Sequence, residues 1–286
     1  MSYFICGICY DTKIGARPKR RALLIGELMK VISHSLSDRL EELKILPLAD
    51  LHIGDIHSDG QKIQEWIQMV RDDPTCYCIL NGDLMDAAIK SSIGDIYGAT
   101  LQPMAQLEQA VKMFGDIKDK ILAVLPGNHE ARIYRSDGLD LTQIMCTQLG
   151  IGERYFNTSA YLFVRFGKGS GHEHYLPMCY TIYAVHGAGG GRMEGGKVNR
   201  LMQLASICDA DIYIHSHTHL PAIVKNSYYR MNLTNSSVAK VDRLFVNTSS
   251  SLNYGGYGEI QTYKPNSLET PVIILDGSKH LARAIL

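Results

Sequence analysis

Residues 45–52, ILPLADLH, form an apolar run that ends in two metal-ligand residues, Asp50 and His52. Outward from it the same arrangement recurs four times. YCILNGD (77–83) delivers Asp83, ILAVLPGNHE (121–130) delivers Asn128 and His129, YTIYAVHG (180–187) delivers His186, and DIYIHSHTH (211–219) delivers His217 and His219. Short runs rich in Ile, Leu, Val and Tyr, bounded by Gly, Asp or Asn, read as buried strands. Open α/β sheets bind ligands beyond the carboxyl ends of their strands. Repeated delivery of Asp, Asn and His at such ends therefore points to one crevice. Each motif alone has an ordinary loop explanation; the ordered set does not.

Between these runs lie helix-spaced apolar residues. Ile63, Trp66, Ile67 and Val70 make one face, Met104, Leu107, Val111 and Phe114 a second, and Leu141, Ile144, Met145 and Leu149 a third. A fourth helix is expected over 195–208 with Val198, Leu201, Ala205 and Cys208 inward. Beyond 219 the pattern changes to strands, expected at 221–225, 243–247 and 271–275. Alternating β and α units with a β-rich end imply two stacked sheets covered by helices. Residues 1–44 are expected to be an N-terminal extension, with one helix over 20–34 carried by Leu24, Leu28, Val31 and Ile32, and 45–286 the ligand-bearing domain. The basic run Arg17-Pro-Lys-Arg-Arg21 reads as a solvated helix start or a phosphate grip.

The 286 residues are 45% hydrophobic and 20% charged with a formal net charge of zero. That places the chain among globular proteins and argues against a purely electrostatic binder of nucleic acid or membrane, while leaving room for a locally basic groove. Seven cysteines, at 6, 9, 76, 78, 146, 179 and 208, show no disulfide framework, and no apolar run is long enough to span a bilayer. A cytoplasmic, membrane-free protein is expected. Cys6 and Cys9 form a lone C-x-x-C with no second pair after it, read as ordinary small residues of an apolar strand in preference to a zinc or redox site.

Hydrolysing a phosphoester near neutral pH needs a nucleophile, neutralisation of phosphate charge and a proton for the leaving oxygen. Two cations about 3.5–4 Å apart supply the first two by sharing a hydroxide and clamping phosphate oxygens. Such a pair needs a bridging carboxylate, and Asp83 is the candidate, with Gly82 before it allowing close backbone approach. Residues two apart near a strand end can share one face, so Asp50 and His52 can chelate one ion. Imidazole with carboxylate suits manganese first, with iron or zinc as alternatives.

The succession D-x-H, G-D, G-N-H-E, H and H-x-H from Asp50 to His219 resembles the calcineurin-like metallophosphoesterase superfamily. The resemblance implies an α/β fold of two stacked mixed β-sheets, a β-sandwich flanked by helices on both outer faces. It implies two divalent metal ions, one held by Asp50, His52, Asp83 and His219, the other by Asp83, Asn128, His186 and His217. His129 would then protonate the leaving group. Asp86 matches the acid that orients this histidine in the phosphoprotein-phosphatase branch, or else caps a helix. Arg132 and Arg135 are candidates to bind substrate phosphate through their planar forks, or surface ion pairs.

The chain departs from the family pattern at Ser216, where glycine is usual and serine is tolerated unless the turn needs a positive φ, and at His215, usually apolar, expected to pack or support rather than ligate. The arginine usual after Asp86 is replaced by Ala87-Ala88. The H-x-H pair leans toward phosphodiesterases and nucleases, so a nucleotide or DNA substrate is favoured, with phosphomonoesterase or phosphoprotein phosphatase as the alternative. A non-catalytic scaffold on the same fold is the reading of a different class. The layout also resembles phage and prophage metallophosphoesterases. Tyr254 and Tyr257, in the glycine-rich segment 247–265, either stack on a base or pack a loop. Nothing fixes the oligomeric state; a homodimer is admitted.

Overall fold

Strands β2 (Glu42–Leu48), β3 (Cys76–Asn81) and β4 (Ile121–Leu125) run parallel in a five-stranded sheet, completed by the antiparallel β10 (Val272–Asp276) and β11 (Ala282–Ile285) in the order β11-β10-β2-β3-β4. A six-stranded sheet, β1-β5-β6-β7-β9-β8, comprises β1 (Val31–Ser35), β5 (Ser159–Phe166), β6 (Met178–Val185), β7 (Ile212–His215), β8 (Ala222–Asn232) and β9 (Ser237–Asn247). In it β6, β7 and β9 are parallel. This computed structural model describes residues 30–89, 92, 99–169, 176–189 and 191–286, without the side chain at 257.

The two sheets face each other across Ile45, Ile79, Leu125, Leu162, Ile182, Ile214 and Val246, all buried. On the outer face of the five-stranded sheet, α1 (Gly60–Asp72), α2 (Pro103–Gly115) and α4 (Leu141–Leu149) cover Leu46, Cys78, Leu80 and Val124. On the other outer face, α5 (Glu194–Gln203) sets Leu201 against Tyr183, Tyr213 and Phe245. Strands buried on both faces need continuous apolar runs, which is why the ligand-bearing strands were readable. The architecture is the mixed α/β sandwich expected.

Several expectations are corrected. Residues 31–34 are strand, not helix: Val31-Ile-Ser-His-Ser alternates exposed and half-buried positions and pairs in parallel with β5. The rest of the helix expected over 20–34 lies outside the described residues, as do Cys6, Cys9 and the basic run 17–21. On α2 the buried face is Gln106, Leu107, Ala110, Met113 and Phe114, and Met104 is exposed. Gln106 takes an inward place because its amide accepts from Ala87 N (2.8 Å) and donates to Leu101 O (2.9 Å). A short helix, α3 (Glu130–Asp137), follows the G-N-H-E turn, and β8 and β9, eleven residues each, form a hairpin whose strands are longer than those expected there.

Candidate metal centre

The five strand ends converge. Leu48 is paired with Leu80, and Asn81 with Leu125, so the loops after β2, β3 and β4 leave the sheet side by side. Asp50 N donates to Gly82 O and His52 N to Asp83 O, each at 3.0 Å, joining the first two loops. In the other sheet, Ser216 N donates to His186 O at 3.0 Å. His217 N crosses between sheets to Asp50 Oδ2, also at 3.0 Å.

Five candidate ligands adopt left-handed backbone: Asp50 (φ 53°), His52 (46°), Asp83 (51°), His217 (66°) and His219 (53°). Non-glycine residues rarely occupy this region, and it persists only where surroundings over-determine it. The turns are tight enough to require glycine nearby. A Cβ on Gly127 would lie 2.0 Å from Asp83 Oδ1, and one on Gly82 2.7 Å from His186 Nδ1.

The side chains form three overlapping groups able to hold a cation: Asp50, His52 and His219; His52, Asp83 and His129; Asp83, His186 and His217. Asp83 belongs to two of them. Its Oδ2 lies 3.2 Å from His186 Nε2 and 3.8 Å from His129 Nε2. Asp50 Oδ1 lies 3.2 Å from His219 Nε2 without the alignment of a hydrogen bond. Asn128 Oδ1 is 3.3 Å from His186 Nε2, whose other nitrogen meets Asn81 O at 2.8 Å. Asp50 Oδ1 and both ring nitrogens of His52 are buried with no hydrogen-bond partner among the described residues. Buried polar atoms are ordinarily satisfied, and a divalent cation would satisfy these. The donor set therefore fits metal.

Charge follows the same plan at His52 and His217, whereas at His186 burial is outweighed by the charge and hydrogen bond of Asp83, which push the imidazole up to about 10. Burial, then the neighbouring His129, holds His52 well below its usual value, and burial, then His186, holds His217 down at about 4. Both imidazoles are thus neutral, the form that ligates. Burial alone would raise the Asp83 carboxyl, but the charge and hydrogen bond of His186, then the charge of His129, outweigh it and keep it ionised. Burial opposes protonation of His129, yet its bond to Asp86 and the charge of Asp83 raise it overall. His129 Nδ1 meets Asp86 O at 2.8 Å and Asp86 Oδ1 at 3.1 Å, which leaves Nε2 facing the cluster. Asp86 pairs with this histidine and lies 3.9 Å from His52 Nδ1 as well.

The calcineurin-like phosphoesterase profile matches residues 51–221. The chain belongs to this family. Among solved structures it is similar to an uncharacterised predicted phosphoesterase from Streptococcus pneumoniae (12% identity, 86% of this chain and 98% of that one, TM-score 0.36). It is also similar to Vacuolar Protein Sorting 29 from Cryptosporidium parvum (13%, 85% and 96%, 0.39) and to a metallophosphoesterase from Sphaerobacter thermophilus (12%, 82% and 84%, 0.35). No curated protein matches it.

In this calcineurin-like phosphoesterase the two arginines differ. Arg132, half-buried on α3, stands near enough to His129 to oppose its protonation, whereas Arg135 is exposed, and nothing among the described residues ties it to the cluster. Ser216 takes a negative φ, so serine is accommodated, and its hydroxyl accepts from Asn81 Nδ2 at 2.6 Å. His215 is buried and its Nδ1 meets Asn247 Oδ1 at 2.8 Å, while Asn247 Nδ2 donates to Thr218 Oγ1 at 2.9 Å. It thus supports the turn carrying His217 and His219, and it is in none of the three groups. Tyr254 is half-exposed.

Sequence reasoning missed the supporting shell. Glu130, fully buried, accepts from Gly127 N (2.8 Å), Met85 N (2.9 Å) and Asp83 N (3.1 Å). The serines after β9 brace the first loop: Ser250 Oγ donates to Asp50 O (2.9 Å) and Ser251 Oγ to Leu51 O (2.7 Å). The signal was present in G-N-H-E and in the run Thr248–Ser251, but its partners are backbone groups far away in sequence.

Proposed function

We propose that this protein is a metal-dependent phosphoester hydrolase whose site takes two divalent cations, manganese first, on ligands shared at Asp83. The observation that carries this reading is the trio of buried, unsatisfied atoms, Asp50 Oδ1 and the two His52 nitrogens, beside a carboxylate common to two ligand groups. Asp50, His52, Asp83 and His219 would hold one ion, and Asp83, Asn128, His186 and His217 the other. When bound, such cations neutralise phosphate charge and supply a nucleophile at neutral pH.

The chain's own residues do the rest. Asp86 fixes His129 with Nδ1 turned away from the cluster, so its Nε2 proton is directed to the leaving-group oxygen. Side-chain exposure is 18% at His129 and 23% at His219 but 0% at Asp50 and 2% at Asp83. Substrate therefore enters on the side of these two imidazoles, where Arg132 and Asn128 meet its phosphate. Arg135, exposed on the same helix, is a more distant contact for an extended substrate.

Diesters, in nucleotides or DNA, are the preferred substrates, on the strength of the paired His217 and His219. The His129–Asp86 contact supports a second reading, phosphomonoester hydrolysis. Hydrolysis of bis-p-nitrophenyl phosphate and p-nitrophenyl phosphate with manganese separates them. Faster diester turnover is expected; a large monoester preference reverses the ranking, and activity on neither substrate with metal bound favours a scaffold. The thiols of Cys76, Cys78, Cys179 and Cys208, which form no disulfide among the described residues, support a cytoplasmic location. Among the described residues no helix is long and apolar enough to cross a membrane.

A further inference from the structure

The β8–β9 hairpin leaves the body of the protein. β9 pairs with β7 only over Leu244–Asn247, so from Arg243 outward the hairpin is two-stranded. Residues 225–240 are all exposed. At its base, Leu244 and Val246 lie in the core between the two sheets, with Ile223 packed against them. Side chains alternate along a strand, so Tyr229 and Met231 continue that same face outward, and Val238, directly opposite Met231, joins them. There the face has no cover: Tyr229 is 82% exposed, Met231 79%, Val238 61%, and Leu233 at the tip 91%. β8 is also the end strand of its sheet, eleven residues long without proline. Isolated two-stranded hairpins are marginal in water, and long apolar edges invite pairing.

We propose that this hairpin is the dimerisation arm of the protein, joining two copies edge to edge through antiparallel β8 strands about a two-fold axis. The area is of the right order: Tyr229, Met231, Leu233 and Val238 together expose on the order of 600 Å², against about 800 Å² per partner in a standard stable interface. The charge fits as well. Arg230 is already paired with Asp209 and Asp242 with Lys225, which leaves little for a polyanion, whose capture needs several free cations. A two-fold edge contact is self-complementary, and with Tyr229 on the axis Tyr228 faces Arg230 of the partner subunit while Ser227 faces Met231 of the partner subunit. No like charges meet directly across the two strands.

Sedimentation equilibrium of the full chain over a dilution series tests this. The wild type is expected to be a dimer, and Met231→Lys and Tyr229→Lys are each expected to weaken it by about thirtyfold or more, with the circular dichroism spectrum and phosphoester hydrolysis unchanged. Under mild oxidation Tyr229→Cys should give a covalent dimer, whereas Thr234→Cys, beyond the paired strands, should not; wild type is the control. A monomeric wild type, or a dimer indifferent to both lysines, overturns the arm. So does a monomer whose DNA binding is lost in Met231→Lys, which would make the hairpin a nucleic-acid contact. Oligomeric state is read without activity, so this proposal and the phosphoesterase reading fail separately.

Discussion

At the carboxyl ends of β2, β3 and β7, Asp50, Asp83, His217 and His219 sit in left-handed backbone, and Asp50 Oδ1 and both His52 nitrogens lack partners among the described residues. At the amino ends of β3 and β7 the acids are fully engaged. Asp73 takes Lys44 Nζ (2.8 Å), Thr75 N (2.8 Å) and Thr75 Oγ1 (2.7 Å), and Asp211 takes Arg243 Nη1 (2.8 Å), Thr181 Oγ1 (2.7 Å) and Thr181 N (2.9 Å). The same sheets thus present a satisfied end and an unsatisfied one. Strain and missing partners gathered at one end mark it as the end built for a ligand, while the other serves the fold.

Breaking the satisfied end should cost stability and leave the metal centre alone. Arg243→Ala, which takes the buried guanidinium from the largely buried Asp211 carboxylate and leaves it Thr181 and His280, should destabilise by about 2 kcal/mol in urea unfolding without changing metal stoichiometry. Loss of metal in that variant would mean that the two ends are coupled. The reverse experiment is His129→Ala, expected to lower turnover about a hundredfold or more while metal content and unfolding midpoint stay put. Metal loss there would make His129 a ligand rather than the proton donor.

Glu130 sharpens the contrast, because it is a satisfied carboxylate inside the unsatisfied end. Burial and the charge of Asp83 raise its carboxyl, and the N–H donors of Met85 and Gly127 oppose the rise. Glu130→Gln keeps its volume but turns an NH₂ toward backbone donors, so metal affinity should fall about tenfold, as for other groups that orient ligands, with a smaller loss of turnover at saturating metal. Equal metal affinity would reduce Glu130 to a packing role.

The smallest effect is expected at Asp73. Burial would raise its carboxyl, but Lys44 and Thr75 hold it down to about 2 from 3.8. Its folded value is depressed, so its contribution is complete above about pH 4 and is lost as pH falls toward about 2. The pair is partly exposed, so Asp73→Asn should cost about 1 kcal/mol or less at neutral pH and flatten the acid limb of the stability curve. An unchanged acid limb would show that Asp73 contributes nothing there.

What the sequence disclosed follows the same division. β3, β4 and β7 are buried on both faces, and β2 and β6 are so toward their carboxyl ends, so their apolar runs and the ligands beyond them were legible, as was the Ile63, Trp66, Ile67 and Val70 face of α1. Val31 and Ile32 misled because, with Leu28, they fit helical spacing as well as a strand's alternation, and only pairing with β5 decides. Gln106 was invisible to a reading of apolar residues, since it is buried through amide bonds. The outer hairpin was missed because its strands have no buried face, and Glu130 because the backbone groups it holds are brought together only by folding.

The shared carboxylate is tested most directly by titrating manganese into metal-free protein, followed calorimetrically and checked by elemental analysis. Two equivalents should bind to the wild type, and Asp83→Asn should abolish or severely weaken both. A single equivalent in the wild type, or full double occupancy in Asp83→Asn, would contradict a centre joined at Asp83.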